Sequence, residues 1–359
     1  MTAMRAELHP FRLALRAPLV TGGVSVRHRA GFLVALSADG ITGWGEASPL
    51  PGWSRTTLLE TEAALRRTLD AVKAGGEAAL DGLLDDLAGT PHARAGIAGA
   101  WADLQARRAG RSLAEHLVAD PTGAPARSVP VSSVAVNALM AAPAPSEVEA
   151  AARDAVNSGF STVKLKVGAA DLVVDIDRVR AARAGLGPAA ELRLDANGTW
   201  DPATALAVLD RVQDCDIAYC EEPVTGIEAI AAVGGRSPVP VAADESIRDE
   251  AGAVQALELG VGTLIVKPQA LGGPDVALAI SARAREAGAS AVVTSFLDSA
   301  VGVAHGLHVA AAVDAAASRR RAHGLATASL LATDVAEVPV VVAGAMAVPA
   351  GGGLGLAPR

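Results

Sequence analysis

The chain has 359 residues, 51% of them hydrophobic and 19% charged, with a formal net charge of −8. That balance supports a large buried core and excludes wholesale disorder; with no basic block, nucleic acid and anionic membrane surfaces are not expected partners. Cys215 and Cys220 are too few for a disulfide framework or a cysteine-based zinc site, which fits free thiols in a reducing cytoplasm.

In chain order, Arg5, Glu7, Arg12 and Arg16 interrupt any apolar targeting segment at the N-terminus. Two apolar runs, Gly31–Ser37 and Ile41–Glu46, flank Asp39-Gly40, which predicts a hairpin. Helical patterns follow at Thr57–Lys73 and Ala95–Arg108, with Gly75-Gly76 and Thr90-Pro91 read as breakers. Residues 1–125 are thus expected to form a small α+β capping domain, and Pro121–Pro125 a linker. The stretch from Val338 to Pro358 is uncharged, but Gly and Pro interrupt it below the roughly 20 residues of a membrane helix.

From residue 126 to 326, short apolar strands alternate with helix-length segments such as Asp201–Val212 and Pro274–Ala287. Strands are predicted at Val131–Leu139, Thr162–Val167, Glu191–Ala196, Ile217–Glu222, Val239–Ala243, Thr263–Lys267 and Ala291–Phe296, with a short eighth near Gly324-Leu325. The fold class expected is α/β, a (β/α)7β TIM-type barrel. No Gly-x-Gly-x-x-Gly leads a strand into a helix, which disfavours an open nucleotide-binding sheet. Residues 327–359 lack another βα unit and are expected to return to the capping domain.

The chemistry concentrates at the strand ends, where such barrels hold their active sites. Lys164 and Lys166 end the second strand on one face, because side chains alternate with a period of two. Arg193 and Asp195 end the third, Glu221 and Glu222 the fourth, Asp244 and Glu245 the fifth, and Lys267 the sixth. One such charge would be an ordinary rim residue or helix cap; five consecutive strands ending this way point to a site. Asp195, one of the two glutamates and Asp244 would converge and repel unless a cation joins them. An all-oxygen ligand set with no His or Cys favours Mg²⁺. Lys166 and Lys267 then face each other across a bound substrate, an arrangement suited to removing a proton α to a carboxylate. The metal and the neighbouring Lys164 both push Lys166 toward the neutral amine it needs as a base.

The motifs Val-Lys164-Leu-Lys166, Leu-Arg193-Leu-Asp195-Ala-Asn197, Glu221-Glu222-Pro223, Asp244-Glu245-Ser246 and Val-Lys267-Pro268 resemble those of the enolase superfamily, in its muconate-lactonizing-enzyme-like branch. The resemblance implies Asp195, Glu221 and Asp244 as Mg²⁺ ligands, and a cap built from the N-terminal unit and the C-terminal tail. Within the branch, Pro18-Leu-Val-Thr-Gly-Gly, Gly43-Trp-Gly-Glu-Ala-Ser-Pro-Leu-Pro-Gly-Trp53-Ser and Thr294-Ser295-Phe-Leu-Asp-Ser299-Ala-Val-Gly302 are most similar to the o-succinylbenzoate synthases of menaquinone biosynthesis. Lys166 is then the base, Lys267 a cation over the forming ring, and Lys164 an electrostatic partner. Arg193, Ser295 and the Gly324 backbone are candidate contacts to a small-molecule carboxylate substrate, Arg193 having a structural ion pair as its alternative. Asn197 and Glu245 are expected beside the metal ligands, and Arg27 and His28 in a closing loop. An N-succinylamino acid racemase is the nearest rival; a dipeptide epimerase lacks its acidic motif around Gly324–Thr327, a muconate cycloisomerase has no specific motif in its support, and an intact charged set disfavours a non-catalytic scaffold. No motif speaks to the oligomeric state.

Overall fold

A computed structural model describes residues 4–21, 23–119, 130–169 and 171–359. The Pro121–Pro125 stretch lies outside the described residues. The N-terminal unit is an antiparallel sheet of β1 (Arg5–Thr21), β2 (Val24–Ala38) and β3 (Ile41–Ala47), in that order. The Asp-Gly signal is realised: Ala38 pairs with Ile41, and Asp39 and Gly40 both take positive φ, 55° and 77°, as a two-residue hairpin turn requires. β1 is an edge strand whose start alternates buried Ala6 and half-buried Leu8 with exposed Arg5, Glu7 and His9, a pattern that Pro10 interrupts.

Helices α1 (Leu58–Gly75), α2 (Leu80–Asp86), α3 (Pro91–Arg108) and α4 (Leu113–Leu117) complete this unit. Thr57 caps α1 in a capping box with Glu60. α3 begins four residues before the expected Ala95, because Pro91 occupies the first helical turn, where a missing N–H costs nothing; a predicted breaker is instead a helix start. α3 lies directly on β3: a Cβ at Gly45 would stand 2.0 Å from the Gly96 carbonyl oxygen, so only glycine permits the approach.

The barrel follows as β4 (Ser133–Ala135), β5 (Ala138–Met140), α5 (Pro145–Asn157), β6 (Thr162–Lys166), α6 (Leu172–Leu186), β7 (Glu191–Asp195), α7 (Pro202–Arg211), β8 (Ile217–Glu221), α8 (Ile227–Gly234), β9 (Val241–Ala242), α9 (Glu250–Glu258), β10 (Thr263–Val266), α10 (Pro268–Leu271), α11 (Pro274–Glu286), β11 (Ser290–Val293) and α12 (Ala300–Ala316). β5 to β9 form one parallel sheet and β10–β11 another. Single bridges close the ring: Ala243 to Leu264, Thr294 to Gly324, and Val136 to His323. β9 is shorter than the predicted Val239–Ala243 because Pro238 and Pro240 have no N–H to give a ladder.

Outward-facing Val163, Leu165, Leu192 and Leu194 are fully buried against the helices, each worth about 1.5–3 kcal/mol of transfer free energy. Inward, Tyr219, Ala242, Ile265 and Val292 fill the barrel below its mouth. The predicted strand Val131–Leu139 is split. Its first part, β4, pairs antiparallel with β13 (Ala345–Ala347), which also pairs with β12 (Val341–Val342). After β13 the chain reaches the N-terminal unit, where Leu113 N donates to Gly353 O at 2.7 Å and Leu354 N to Asp103 Oδ1 at 2.7 Å.

Buried polar groups rivet the cap to the barrel. Arg29 donates to Leu297 O at 2.9 Å, Pro49 O at 2.8 Å and Ser48 O at 2.6 Å, joining β2, the loop after β3 and the end of β11. Glu46 accepts from the N–H groups of Ser299 and Gly302 at 3.1 and 2.9 Å, where the N-terminus of α12 favours a negative charge. The mouth of the barrel is thereby held under the loop that carries Trp53. Among the described residues, no helix is long and apolar enough to cross a membrane.

Candidate active site

The parallel register sets the charged side chains in a row: Lys166 pairs with Asp195 and Asp195 with Glu221. Asp195, Glu221 and Asp244 each offer a carboxylate oxygen, all within 4.8 Å of one another. Lys164 Nζ lies 2.7 Å from Glu221 Oε2 and 3.0 Å from Asp195 Oδ2, and Lys166 Nζ 2.7 Å from the same Asp195 oxygen. Lys267 Nζ stands 2.5 Å from Asp244 Oδ1 and 3.2 Å from Glu245 Oε1. The two lysines of β6 are therefore interleaved with carboxylates, which removes most of the repulsion expected between them.

These groups perturb one another. Burial alone would lower the Lys164 ammonium, but Asp195 and Glu221 outweigh it and hold its pKa well above the usual lysine value. Lys164 is thus kept charged, a compensating cation rather than a simple repulsive neighbour of Lys166. Lys267 is raised in the same way, burial opposing and Asp244 and Glu245 prevailing. Burial works against the Asp195 charge too, yet Lys164 and Lys166 hold it below the usual carboxylate range. Glu221 and Asp244 are raised, both chiefly by burial, Asp244 also by Glu245. Two buried carboxylates whose charged forms are disfavoured, together with an Asp244 Oδ1 whose close contact with Lys267 lacks hydrogen-bond alignment, form a set that one hard divalent ion would satisfy.

Glu222 faces elsewhere: it accepts from Asp244 N at 2.8 Å and from Ser246 Oγ, and burial pushes it up to about 7. Asn197, in the left-handed region at φ 48°, accepts from Lys166 Nζ at 2.6 Å through Oδ1. Its Nδ2 donates to Glu245 Oε1 at 3.2 Å, the oxygen that also meets Lys267. Asn197 and Glu245 therefore join the two opposed lysines through hydrogen bonds.

Lys164, Lys166, Asp195, Asn197, Asp244, Glu245, Lys267, Ser295 and Gly324 all border one cleft of about 350 Å³ beneath the cap. Three expectations change. Arg193 is fully buried one layer below Asp195: it donates to Glu191 Oε1 at 2.7 Å and Ala322 O at 2.7 Å, with its guanidinium 5.0 Å from the Tyr219 ring centre. It has no atom to offer a substrate, and the ion pair is its observed role. Gly324 borders the cleft, but its N–H donates to Val293 O and its carbonyl accepts from Ser295 N at 3.0 Å, so both of its backbone polar groups are already engaged. Ser295 Oγ lies 2.7 Å from Thr327 Oγ1. Arg27 and His28 sit on β2 rather than in a loop, His28 Nδ1 being 3.2 Å from an Arg12 nitrogen.

Sequence reasoning missed the aromatic walls. Trp53, Phe160 and Phe296 line the cleft in a chain with only 3% aromatic residues; Trp53 and Phe160 lie outside the predicted helices and strands and Phe296 at the end of one, which was the available signal. The Phe296 ring centre is 5.7 Å from Lys267 Nζ and 5.6 Å from the His92 ring, whose Nε2 lies 2.8 Å from Ser54 Oγ in the Trp53 loop. His92 is held neutral: burial, then the Arg29 charge, lower its pKa to about 3.

Known proteins share this architecture. Residues 147–359 match the family model described as Enolase C-terminal domain-like, and residues 3–98 that of the MenC N-terminal domain. The chain is 37% identical over 212 residues to the o-succinylbenzoate synthase of Thermobifida fusca (strain YX), a match spanning 58% of this chain and 64%, slightly under two thirds, of that protein. It is 30% identical over 309 residues to the o-succinylbenzoate synthase of Enterobacter sp. (strain 638), covering 85% of this chain and 86% of the relative. The substrate-liganded structure of the L-Ala-D/L-Glu epimerase from Bacillus subtilis superposes with a TM-score of 0.88 at 25% identity, covering 100% of this chain and 99% of that one.

Proposed function

The chain belongs to the enolase superfamily, and on that premise we propose that it is an o-succinylbenzoate synthase that uses Mg²⁺ held by Asp195, Glu221 and Asp244. The substrate in this reading is 2-succinyl-6-hydroxy-2,4-cyclohexadiene-1-carboxylate. When bound, the ion supplies positive charge to the ring carboxylate as negative charge develops there.

The observation that carries the reading is the hydrogen bonding of Lys166. Asp195 Oδ2 at 2.7 Å and Asn197 Oδ1 at 2.6 Å accept from its Nζ and hold the side chain at the cleft, and these two acceptors match the two N–H groups that an amine acting as base keeps. Lys166 then takes the proton from the ring carbon α to the carboxylate. The C–H electron pair forms the new ring double bond, the C–O bond to the hydroxyl breaks on the same face, and the Lys166 ammonium returns its proton to make water. The product is aromatic 2-succinylbenzoate. Lys267, backed by Asp244 and Glu245 and lying under Phe296, contributes charge opposite the base.

A second reading, N-succinylamino acid racemase, is favoured by the presence of Lys267 on the opposite wall. The two lysines are not equivalent, however: the Lys166 side chain is 34% exposed and that of Lys267 14%, pinned by two carboxylates. That asymmetry suits one base better than two. Incubation with Mg²⁺ in D₂O separates the readings: dehydration of the cyclohexadiene faster than α-proton exchange of N-succinyl amino acids is expected, and fast exchange without dehydration would overturn the first.

A further inference from the structure

The cleft has a charge problem at its far end. Its three lysines are all engaged with carboxylates of the metal-binding set, and the lining it has near the segment after the last barrel strand, Phe160, Ser295, Thr327 and Leu330, is uncharged. A substrate with a second carboxylate on a flexible arm would leave that group without a counter-charge there.

The cap supplies one. β1 slips out of register against β2 between Ala14 and Leu19, and the displaced residues attach to the segment after the last barrel strand: Leu15 bridges Leu331, and Ala332 N donates to Ala14 O at 2.8 Å. A bulge re-aims the side chain it carries. Here that is Arg16, whose Nε donates to Ser329 O at 3.1 Å. Phe160, Ala326 and Ser329 line both the cleft and an adjoining hollow of about 510 Å³, and Arg16 lines that hollow. Among the described residues, no carboxylate lies within 4.0 Å of the Arg16 guanidinium, and no other arginine borders either space. Asp334, the hollow's one carboxylate, turns Oδ1 to the N–H groups of Ala300 and Val335 at 2.9 and 2.7 Å. Its charge disfavours an anion deep in the hollow and leaves the rim beside Ser329 as the favoured place.

We infer that Arg16 is a specificity-determining residue that binds the distal carboxylate of a two-carboxylate substrate whose first carboxylate sits at the metal-binding end. This rests on the proposed reaction for the identity of the substrate. The arm lies far from the reacting carbon, so the contact is made equally in ground and transition states and acts on KM. Arg16 also ties the cap to Ser329, and a purely structural clamp is the competing role.

The test compares wild type, Arg16→Gln and Arg16→Lys, each Mg²⁺-loaded, for dehydration kinetics and for calorimetric binding of 2-succinylbenzoate and its distal carboxamide. Arg16→Gln is expected to raise KM about tenfold with kcat within about twofold, to weaken 2-succinylbenzoate about tenfold, and to leave the carboxamide unchanged; Arg16→Lys recovers part of the loss. Equal weakening of acid and amide shows a clamp and overturns the inference, as does a wild type that binds both alike. Selective loss of the acid in a protein that performs no dehydration would refute the proposed reaction while upholding the Arg16 site for another dicarboxylate.

Discussion

Lys166 and Asn197 meet at 2.6 Å, with the asparagine held in a left-handed backbone conformation that few residues other than glycine adopt. Local strain of this kind persists where the surrounding structure enforces it, here through Asn197 N to Asp195 Oδ1 at 3.2 Å and Nδ2 to Glu245. Asn197→Ala removes the acceptor that orients the lysine. A drop in kcat of up to about tenfold is expected from losing one of the two hydrogen bonds that orient the amine, with KM little changed. Steady-state kinetics on the folded variant measure it, and an unaltered kcat would show the contact to be incidental.

Arg193 provides the contrasting case. Its guanidinium is fully buried against Glu191 and Ala322 O, so Arg193→Leu leaves the buried Ala322 carbonyl unpaired while Glu191 keeps Arg321 at 3.3 Å, and is expected to cost about 1–3 kcal/mol of stability. Denaturant unfolding reads the loss directly. Folded Arg193→Leu protein should keep its KM, since no Arg193 atom reaches the cleft.

The carboxylate triad predicts metal-linked stability. Mg²⁺ binding to the native state alone should stabilise it by an amount that grows with concentration, about 2.7 kcal/mol at a hundred times Kd, seen as a rise in Tm that EDTA reverses. Glu221→Gln should abolish the Mg²⁺-dependent shift in scanning calorimetry. A shift that persists in this variant would move the metal elsewhere.

His92 and Asp298 pull stability in opposite directions with pH. His92 is depressed in the fold to about 3 from 6.5, so its contribution is complete above pH 6.5 and is lost as pH falls through that window. Asp298 is raised to about 7 from 3.8, by burial first and Glu46 second, so its native form keeps a proton and stability is lost as pH rises toward 7. Relative to wild type, Asp298→Asn should gain Tm between pH 5 and 7, and His92→Gln should gain it between pH 7 and 5. Each change is worth about 2 kcal/mol across its interval, at 1.36 kcal/mol per pH unit. Thermal scans at the two pH values give both signs.

Much of the site was legible because a strand's period of two assigns faces: Lys164 with Lys166, and Asp195 beside one of Glu221 and Glu222, needed only the strand assignments, whereas the choice of Glu221 came from the family resemblance. Period assigns face but not depth. Arg193 shares the face of Asp195 and sits a layer lower, where the barrel is closed, so its parity looked the same as that of a residue at the mouth. Gly324 could be placed at a strand end, yet whether its N–H was free depended on closure of the ring at Val293, a long-range pairing. Arg16 was invisible for a related reason. The bulge that aims it is set by pairing with Leu331, more than three hundred residues away, and on an edge strand it reads as one more surface charge. Pro91 shows the local limit, since the same Thr-Pro signal ends one helix and starts another.

The direct test of the central claim is the initial rate at which Lys166→Ala, folded and saturated with Mg²⁺, consumes the cyclohexadiene absorbance. Removing the group assigned to take the α-proton should lower that rate by roughly a thousandfold, within the range for losing a general base. A rate within about tenfold of wild type would contradict proton abstraction by Lys166 and with it the proposed reaction.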